Sequence, residues 1–286
     1  MTSAISMHAN VGNASPSEYA NPQSFRWNRY RSLAAAEIRQ YLRNKTLLFM
    51  AVVFPIGVGL LMQLMGEGGQ PASAQVQTAI SMEVFFLIAL MFIQFYSVLS
   101  MTTTRRDERV LKRLRTGEAR SAEILAALAT PGAIMSLLLT ALMSGILIFR
   151  TGDLPSTGIV LFLAMILGIV ISTGLALLTS SITANAEAAQ ITSLPVMVLA
   201  MLSQSPLRST LPEQIQEPLA RTPFALLGDL TFIEWTGQPY IAAAIPISGE
   251  HTASLATALG PLALMLVWSI ALMWAALRYM KWETNR

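Results

Sequence analysis

The sequence contains no cysteine and only two histidines, His8 and His251. A disulfide framework, a Cys-ligated zinc, an iron–sulfur cluster and a thiol nucleophile are excluded, and a His-rich metal site with them. No bound metal is expected. Charge is scarce too: 12% of the 286 residues are charged, against roughly 25% in an ordinary globular protein. So few charges cannot clothe a water-exposed surface. No Gly-x-x-x-x-Gly-Lys-Ser/Thr occurs anywhere, so the chain lacks the loop that cradles nucleotide phosphates. What is abundant is apolar: 53% of residues are hydrophobic and the mean hydropathy is +0.54. The chain reads as an all-α polytopic membrane protein.

A bilayer core about 30 Å thick needs about 20 apolar residues in a helix. Uncharged or nearly uncharged runs predict six transmembrane helices, at about 47–65, 79–101, 124–149, 158–182, 188–204 and 256–277. The fifth is short and interrupted by Pro195. One ionisable residue, Glu83, falls inside a span. The first 24 residues are polar and carry no Lys or Arg, so they offer neither the basic nor the apolar region of a signal peptide. Met1–Ser24 is expected to be a disordered cytoplasmic tail, and residues 25–286 the transmembrane domain.

Basic residues concentrate in cytoplasmic loops beside the spans. With the N-terminus inside, sixteen of the 19 basic residues become cytoplasmic, and only Arg150, Arg208 and Arg221 fall outside. The positive net charge thus reflects topology, and no nucleic-acid partner is expected. This orientation predicts a multi-pass protein of the cell (inner, cytoplasmic) membrane with both termini cytoplasmic.

Three polar segments carry more than topology. Phe25–Thr46 mixes basic residues, among them Arg39 and Arg43, with aromatic and apolar ones, the pattern of an elbow helix lying in the cytoplasmic interface. It also contains Glu37. Thr102–Glu123 places Val110, Leu111 and Leu114 on one helical face, flanked by Arg109 and Arg113, and Gly117 ends the helix. Such a stripe suits a cytoplasmic coupling helix that presses an apolar knob into a groove on a soluble partner. The plainer alternative is a solvated basic loop. Ser205–Thr252 is punctuated by Pro206, Pro212, Pro218, Pro223 and Gly228. A structureless loop of that length is unusual, so it predicts an external re-entrant hairpin of two short helices. Glu83 and Gln94 are candidate residues of a substrate pathway. For Glu83 the alternatives are a pore-facing group near the external exit and a carboxylate paired structurally.

In this order, these segments resemble the permease subunits of the ABC-2 type transporter family. The resemblance rests on Glu37, Arg43 and Asn44 before span one and Pro55 within it. It rests further on Glu108-Arg109-Val110-Leu111-Lys112-Arg113-Leu114-Arg115-Thr116 after span two, and on Leu211-Pro212, Pro223 and Gly237 before span six. It covers roughly residues 25–282. Gly117 stands where the family often has proline. The resemblance implies an ABC exporter in which two permeases, a homodimer or a pair of homologues, form the pore. Two copies of a separate ABC ATPase subunit would bind below them. ATP and magnesium would sit on that ATPase, this chain would bind no cofactor, and it would not itself be an enzyme.

The rival readings are weaker. An ion-driven carrier ordinarily buries several ionisable groups along its path, and this chain offers Glu83 alone. No ring of charges or carbonyl filter marks a channel, and no His or Lys lies in a span to serve a membrane-embedded enzyme. The Met- and Leu-rich spans are either ordinary core filler or the walls of a site for a hydrophobic or amphipathic substrate such as a drug, antibiotic or lipid-like compound. The charge asymmetry makes a direct prediction. A reporter fused after Lys281 should read cytoplasmic, and one inserted in 73–77 external. An external C-terminus would overturn the six-span topology.

Overall fold

The computed structural model describes residues 22–67, 74–111, 120–240 and 255–280. The expected tail lies outside them except for Pro22, Gln23 and Ser24, which open the first helix. In chain order the helices are α1 (Pro22–Arg43), α2 (Lys45–Glu67), α3 (Ala74–Ile88), a π-helical segment (Ala89–Tyr96) and α4 (Ser97–Asp107). They continue with α5 (Ser121–Thr151), α6 (Ile159–Ile182), α7 (Ala188–Thr192), α8 (Leu194–Leu202), α9 (Ser205–Arg208), α10 (Glu213–Ala220), α11 (Pro223–Thr236) and α12 (Leu255–Tyr279). No strand occurs among the described residues.

Four of these stretches are long and apolar enough to cross a membrane: Ala74–Asp107, Ser121–Thr151, Ile159–Ile182 and Ala256–Tyr279. The shortest has 24 residues, about 36 Å at 1.5 Å per residue, which exceeds a hydrocarbon core of roughly 30 Å. Two further apolar helical stretches, Ala51–Gly66 and Ala188–Leu202, are shorter. They occupy the expected first and fifth spans. The second of them breaks at Ser193, between α7 and α8, with Pro195 in the first turn of α8. Proline is tolerated there because the first helical N–H groups have no intrahelical partner.

The stretch running from α3 through the π segment to α4 is the axis of the bundle. Met82, Phe85, Phe86, Ile93 and Phe95 are fully buried along it, enclosed by α2, α5, α6 and α11. α12 lies at the periphery against α6 and exposes Leu259, Leu266, Val267, Ile270 and Trp274, as a lipid-facing helix should. The π segment adds a residue to the helical register, so the helix face presented by α3 is not continued by α4.

Helix ends follow local chemistry. α5 begins where the Arg120 N–H donates to Glu123 Oε2 at 3.2 Å. It ends at Gly152, whose φ of 74° is the left-handed cap that glycine adopts without penalty. Asn44 is the non-helical residue between α1 and α2, and its carbonyl accepts from the Leu48 N–H. α11 starts at Thr222, whose hydroxyl accepts from the Ala225 N–H, followed by Pro223, and closes on Gly237 at φ 81°.

The region after α8 departs from expectation. In place of two short helices dipping into the interface, three helices occur there among the described residues. The longest, α11, is internal: Phe224, Leu226, Leu230, Phe232, Ile233 and Trp235 are buried against α3, α6 and α12. Its apolar residues surround the helix with no polar face, and such a helix gains most by being enclosed.

A close approach of backbones joins α6 to α12. A Cβ added at Gly174 would lie 3.1 Å from both the carbonyl carbon and Cβ of Leu272, so the absence of a side chain lets the two backbones meet. Gly174→Val should therefore overpack this contact and cost about 1–3 kcal/mol, read as a lower unfolding temperature in detergent. Gly145 has no atom near its Cβ position, so Gly145→Ala should not lower that temperature, and the gain in helix propensity should raise it slightly.

Candidate functional site

Three features stand out: a polar junction at the end of the bundle nearest α1, a second at the end nearest α9–α11, and an apolar groove at the second end.

At the α1 end, Arg105 donates to Glu37 at 2.5 Å and to Gln40 at 2.8 Å, joining α4 to the elbow helix. Glu37 is buried; burial pushes its carboxyl above the usual carboxylate range and the Arg105 guanidinium partly offsets this. Tyr30 and Thr130 share a hydroxyl–hydroxyl bond of 2.8 Å, so α1 also grips α5. Tyr41 is buried, and burial pushes its phenol up to about 12. Arg39 and Arg43, by contrast, are exposed on the outer face of α1. Arg106 turns inward. Its guanidinium donates to the Ser180 carbonyl at 2.6 Å and to the Thr183 carbonyl. These are terminal carbonyls of α6, which lack intrahelical partners and favour a cation.

The chain reverses directly after Arg106. Arg109 is the one non-glycine with positive φ among the described residues, at 58°, and its N–H donates to the Arg106 carbonyl at 3.0 Å. Helical geometry resumes at Val110 and Leu111. The expected apolar knob is divided here. Leu111 is fully buried in the core, so it anchors the turn and is not available to a partner. Val110 is half-buried and Arg109 exposed. Arg113, Leu114 and Gly117 lie outside the described residues. The difference is physical: a helical stripe shows that residues share a face, and not whether that face meets a partner or the chain's own bundle.

At the other end, Glu83 is buried, and its Oε1 accepts from the Ser205 N–H and the Ser205 hydroxyl, each at 2.8 Å. Its Oε2 has no partner among the described residues. Of the two alternatives for this residue, the structural pairing is the one observed. Arg208 and Asp229 form an ion pair of 2.6 Å between α9 and α11. The carboxylate of Glu234 accepts from the N–H groups of Thr157 and Gly158 and from the Thr157 hydroxyl, capping α6. The Glu234 carbonyl accepts twice from Ser156.

Gln94 does not line the groove described below. It is fully buried in the π segment, and its Nε2 donates to Thr173 Oγ1 at 2.7 Å and to the Ala129 carbonyl at 3.3 Å. It thereby ties the π segment to α5 and α6. Gly132 makes room for it, since a Cβ there would stand 2.6 Å from Gln94 Oε1.

The groove lies between α2, α3, the π segment and α8. Its volume is about 740 Å³, and its lining is almost wholly apolar. Ile80, Val84, Leu87 and Met91 form one wall at helical spacing, and Phe54, Met62 and Met65 the wall from α2. Met197 and Met201 come from α8, and Gln204, Pro206 and Leu207 close the end nearest α9. Gln77, one of the few polar lining residues, donates to the Met62 carbonyl at 2.6 Å. Neither Glu83 nor Gln94 lines it.

The sequence matches the ABC-2 type transporter family over residues 28–206, well over half the chain. The chain belongs to the ABC-2 type transporter family. It is therefore a multi-pass membrane protein and a permease of an ABC-type transporter, not itself catalytic. A search of curated proteins found no match. The family match takes in α1, the α4 turn and every wall of the ABC-2 permease's groove except Leu207.

Sequence reasoning missed Arg106, Ser205, Gly228 and Glu234. In the sequence Arg106 is one of the sixteen cytoplasmic basic residues, and only the position of the α6 carbonyls distinguishes it. Gly228 did carry a signal, since glycine inside a helix costs about 1 kcal/mol relative to alanine and invites a packing reason. Replacing Arg106 with Gln removes a charge-assisted pair of bonds. At about 1.5–3 kcal/mol for such a bond to a charged group, Arg106→Gln should lower the unfolding temperature in detergent. Arg39→Gln, on the exposed face of α1, should not.

Proposed function

We propose that this chain is the transmembrane permease subunit of an ATP-driven exporter, moving a hydrophobic or amphipathic compound out of the cell. In this reading it works as a pair, with a second copy or a homologous permease. Two copies of a separate ABC ATPase bind at the α1 end, carry ATP and magnesium, and this chain holds no cofactor. Both termini face the cytoplasm, and the α9–α11 end faces outward.

The observation that carries the proposal is the groove. About 740 Å³ is within the range of pockets that hold drug-sized ligands. Five methionines line it, Met62, Met65, Met91, Met197 and Met201. Thioether side chains are flexible and polarisable, and they adapt to apolar ligands of varied shape. The groove bears no charged residue, which disfavours a strongly ionic substrate, since desolvating an unpaired charge is costly. It reaches the end of the bundle opposite the Arg105–Leu111 turn, through Gly66, Gln77 and Leu207, which suits a division between a coupling end and a binding end.

Docking of the ATPase is assigned to the turn after α4, with Arg109 and Val110 as its accessible described residues. Arg113 and Leu114 belong to the same proposed helix from the sequence. Leu111 holds this element against the bundle.

Both assignments can be tested in one reconstituted system of permease and ATPase. Val110→Asp should insert normally, yet lose the ATPase in detergent and abolish ATP-driven export. Leu111→Asp should instead reduce the yield of folded permease, because it places a carboxylate in the core. Met201→Trp should keep the ATPase bound while cutting export of a bulky amphipathic dye. If Val110→Asp binds and drives the ATPase as the wild type does, the turn is not the docking element. If Met201→Trp exports normally, the groove is not the substrate route.

A further inference from the structure

The groove's α3 wall and its end wall at α9 are joined by a single buried carboxylate. Ile80, Val84 and Leu87 line one wall from α3, and Glu83 sits among them in sequence but points away from the groove. Its Oε1 accepts both the main-chain N–H and the hydroxyl of Ser205 at 2.8 Å. Ser205 is flanked by Gln204, Pro206 and Leu207, which close the groove's end. A bond to the Ser205 main chain therefore holds the backbone of that end wall and not merely one side chain.

The carboxylate is also backed from behind. A Cβ at Gly228 would stand 2.1 Å from Glu83 Oε1, 2.9 Å from its Cδ and 3.1 Å from Ser205 Oγ. Only glycine leaves room for both Glu83 and Ser205. The neighbouring Arg208–Asp229 pair at 2.6 Å is a second tie from α9 to α11. Glu83 Oε2 remains buried without a partner among the described residues. A half-satisfied buried carboxylate is held against a desolvation cost, and water reaching it on opening would relieve that cost.

We propose that Glu83, Ser205 and Gly228 form a latch that sets the width of the groove's mouth, engaged as seen here and released when α9 moves away from α3 and the enclosed α11. These are positioning residues: they act on the groove through Gln204, Pro206 and Leu207. The proposal rests on the reading of the groove as the substrate route, but its geometry can be tested apart from transport.

The chain's lack of cysteine allows two labels to be placed without background. Met65 and Leu207 line the groove from α2 and α9 and are both exposed. Spin labels on Met65→Cys and Leu207→Cys in the full-length permease, reconstituted in vesicles with its ATPase, report the mouth's width by electron paramagnetic resonance. With Glu83 intact, one narrow distance distribution is expected without nucleotide. Glu83→Ala should shift and broaden it to longer distances, and Gly228→Ala should do the same by displacing the carboxylate. Glu83→Gln retains an oxygen that accepts both Ser205 bonds and should restore the narrow distribution. Gly228→Ala keeps every hydrogen-bonding group, so it serves if Glu83→Ala fails to insert. A narrow distribution retained in folded Gly228→Ala or Glu83→Ala overturns the latch, as does Glu83→Gln opening as widely as Glu83→Ala. Export measured on the same samples separates the two readings. A widened mouth with unchanged export supports the latch and removes the groove from the substrate route.

Discussion

Inside a bilayer there is no water to satisfy a polar group, so each one retained there must find its partner within the protein. In this ABC-2 permease, four of the long polar side chains buried among the described residues each join two helices. Gln94 holds the π segment to α5 and α6. Arg106 holds the end of α4 to the end of α6. Glu83 holds α3 to α9, and Glu234 holds α11 to the start of α6. Apolar packing alone aligns helices weakly in lipid, because the tails are as apolar as the side chains. The directional bonds supply register that the apolar surface does not.

This arrangement separates rigid from adaptable parts. α6 is pinned at both ends, by Arg106 and Glu234, and packs closely on α12 through Gly174. The groove has a different character. Its walls are methionine and aliphatic side chains with few hydrogen bonds, and such surfaces repack at little cost. The stretch from α3 to α4 connects the two regimes. It lines the groove through Ile80, Val84 and Leu87 and ends at the Arg105–Arg106 junction. The π segment between them interrupts the helical ladder, and such interruptions recur at functional sites.

Much of the fold was legible because it follows from composition and spacing. Apolar runs placed α3–α4, α5, α6 and α12, and Pro195 marked the weak fifth segment. The interleaved basic and aromatic residues marked α1, with Arg39 and Arg43 outward as an interfacial helix requires. The proline spacing after α8 indicated short helices, but not that α11 would be enclosed. Its burial depends on α3, α6 and α12 arriving around it, and no local pattern encodes that.

The residue-level site was less legible, for a consistent reason. Sequence gives a side chain's type and its face on a helix, and the neighbour on that face comes from elsewhere in the chain. Glu83 and Gln94 were notable as polar residues in an apolar run, yet a pathway and a structural tie look alike at that level. The partners that decide the matter, Ser205 and Thr173, lie 122 and 79 positions away. Leu111 shared a stripe with Val110, and only the packed bundle turned one inward and left the other accessible. The sequence by itself determined a helical membrane protein, without thiol chemistry, in the pattern of the ABC-2 family. Those properties depend on counts and local periodicity. The tertiary structure alone decided which polar groups bind helices together and where a groove remains open, because both depend on contacts between segments distant in sequence.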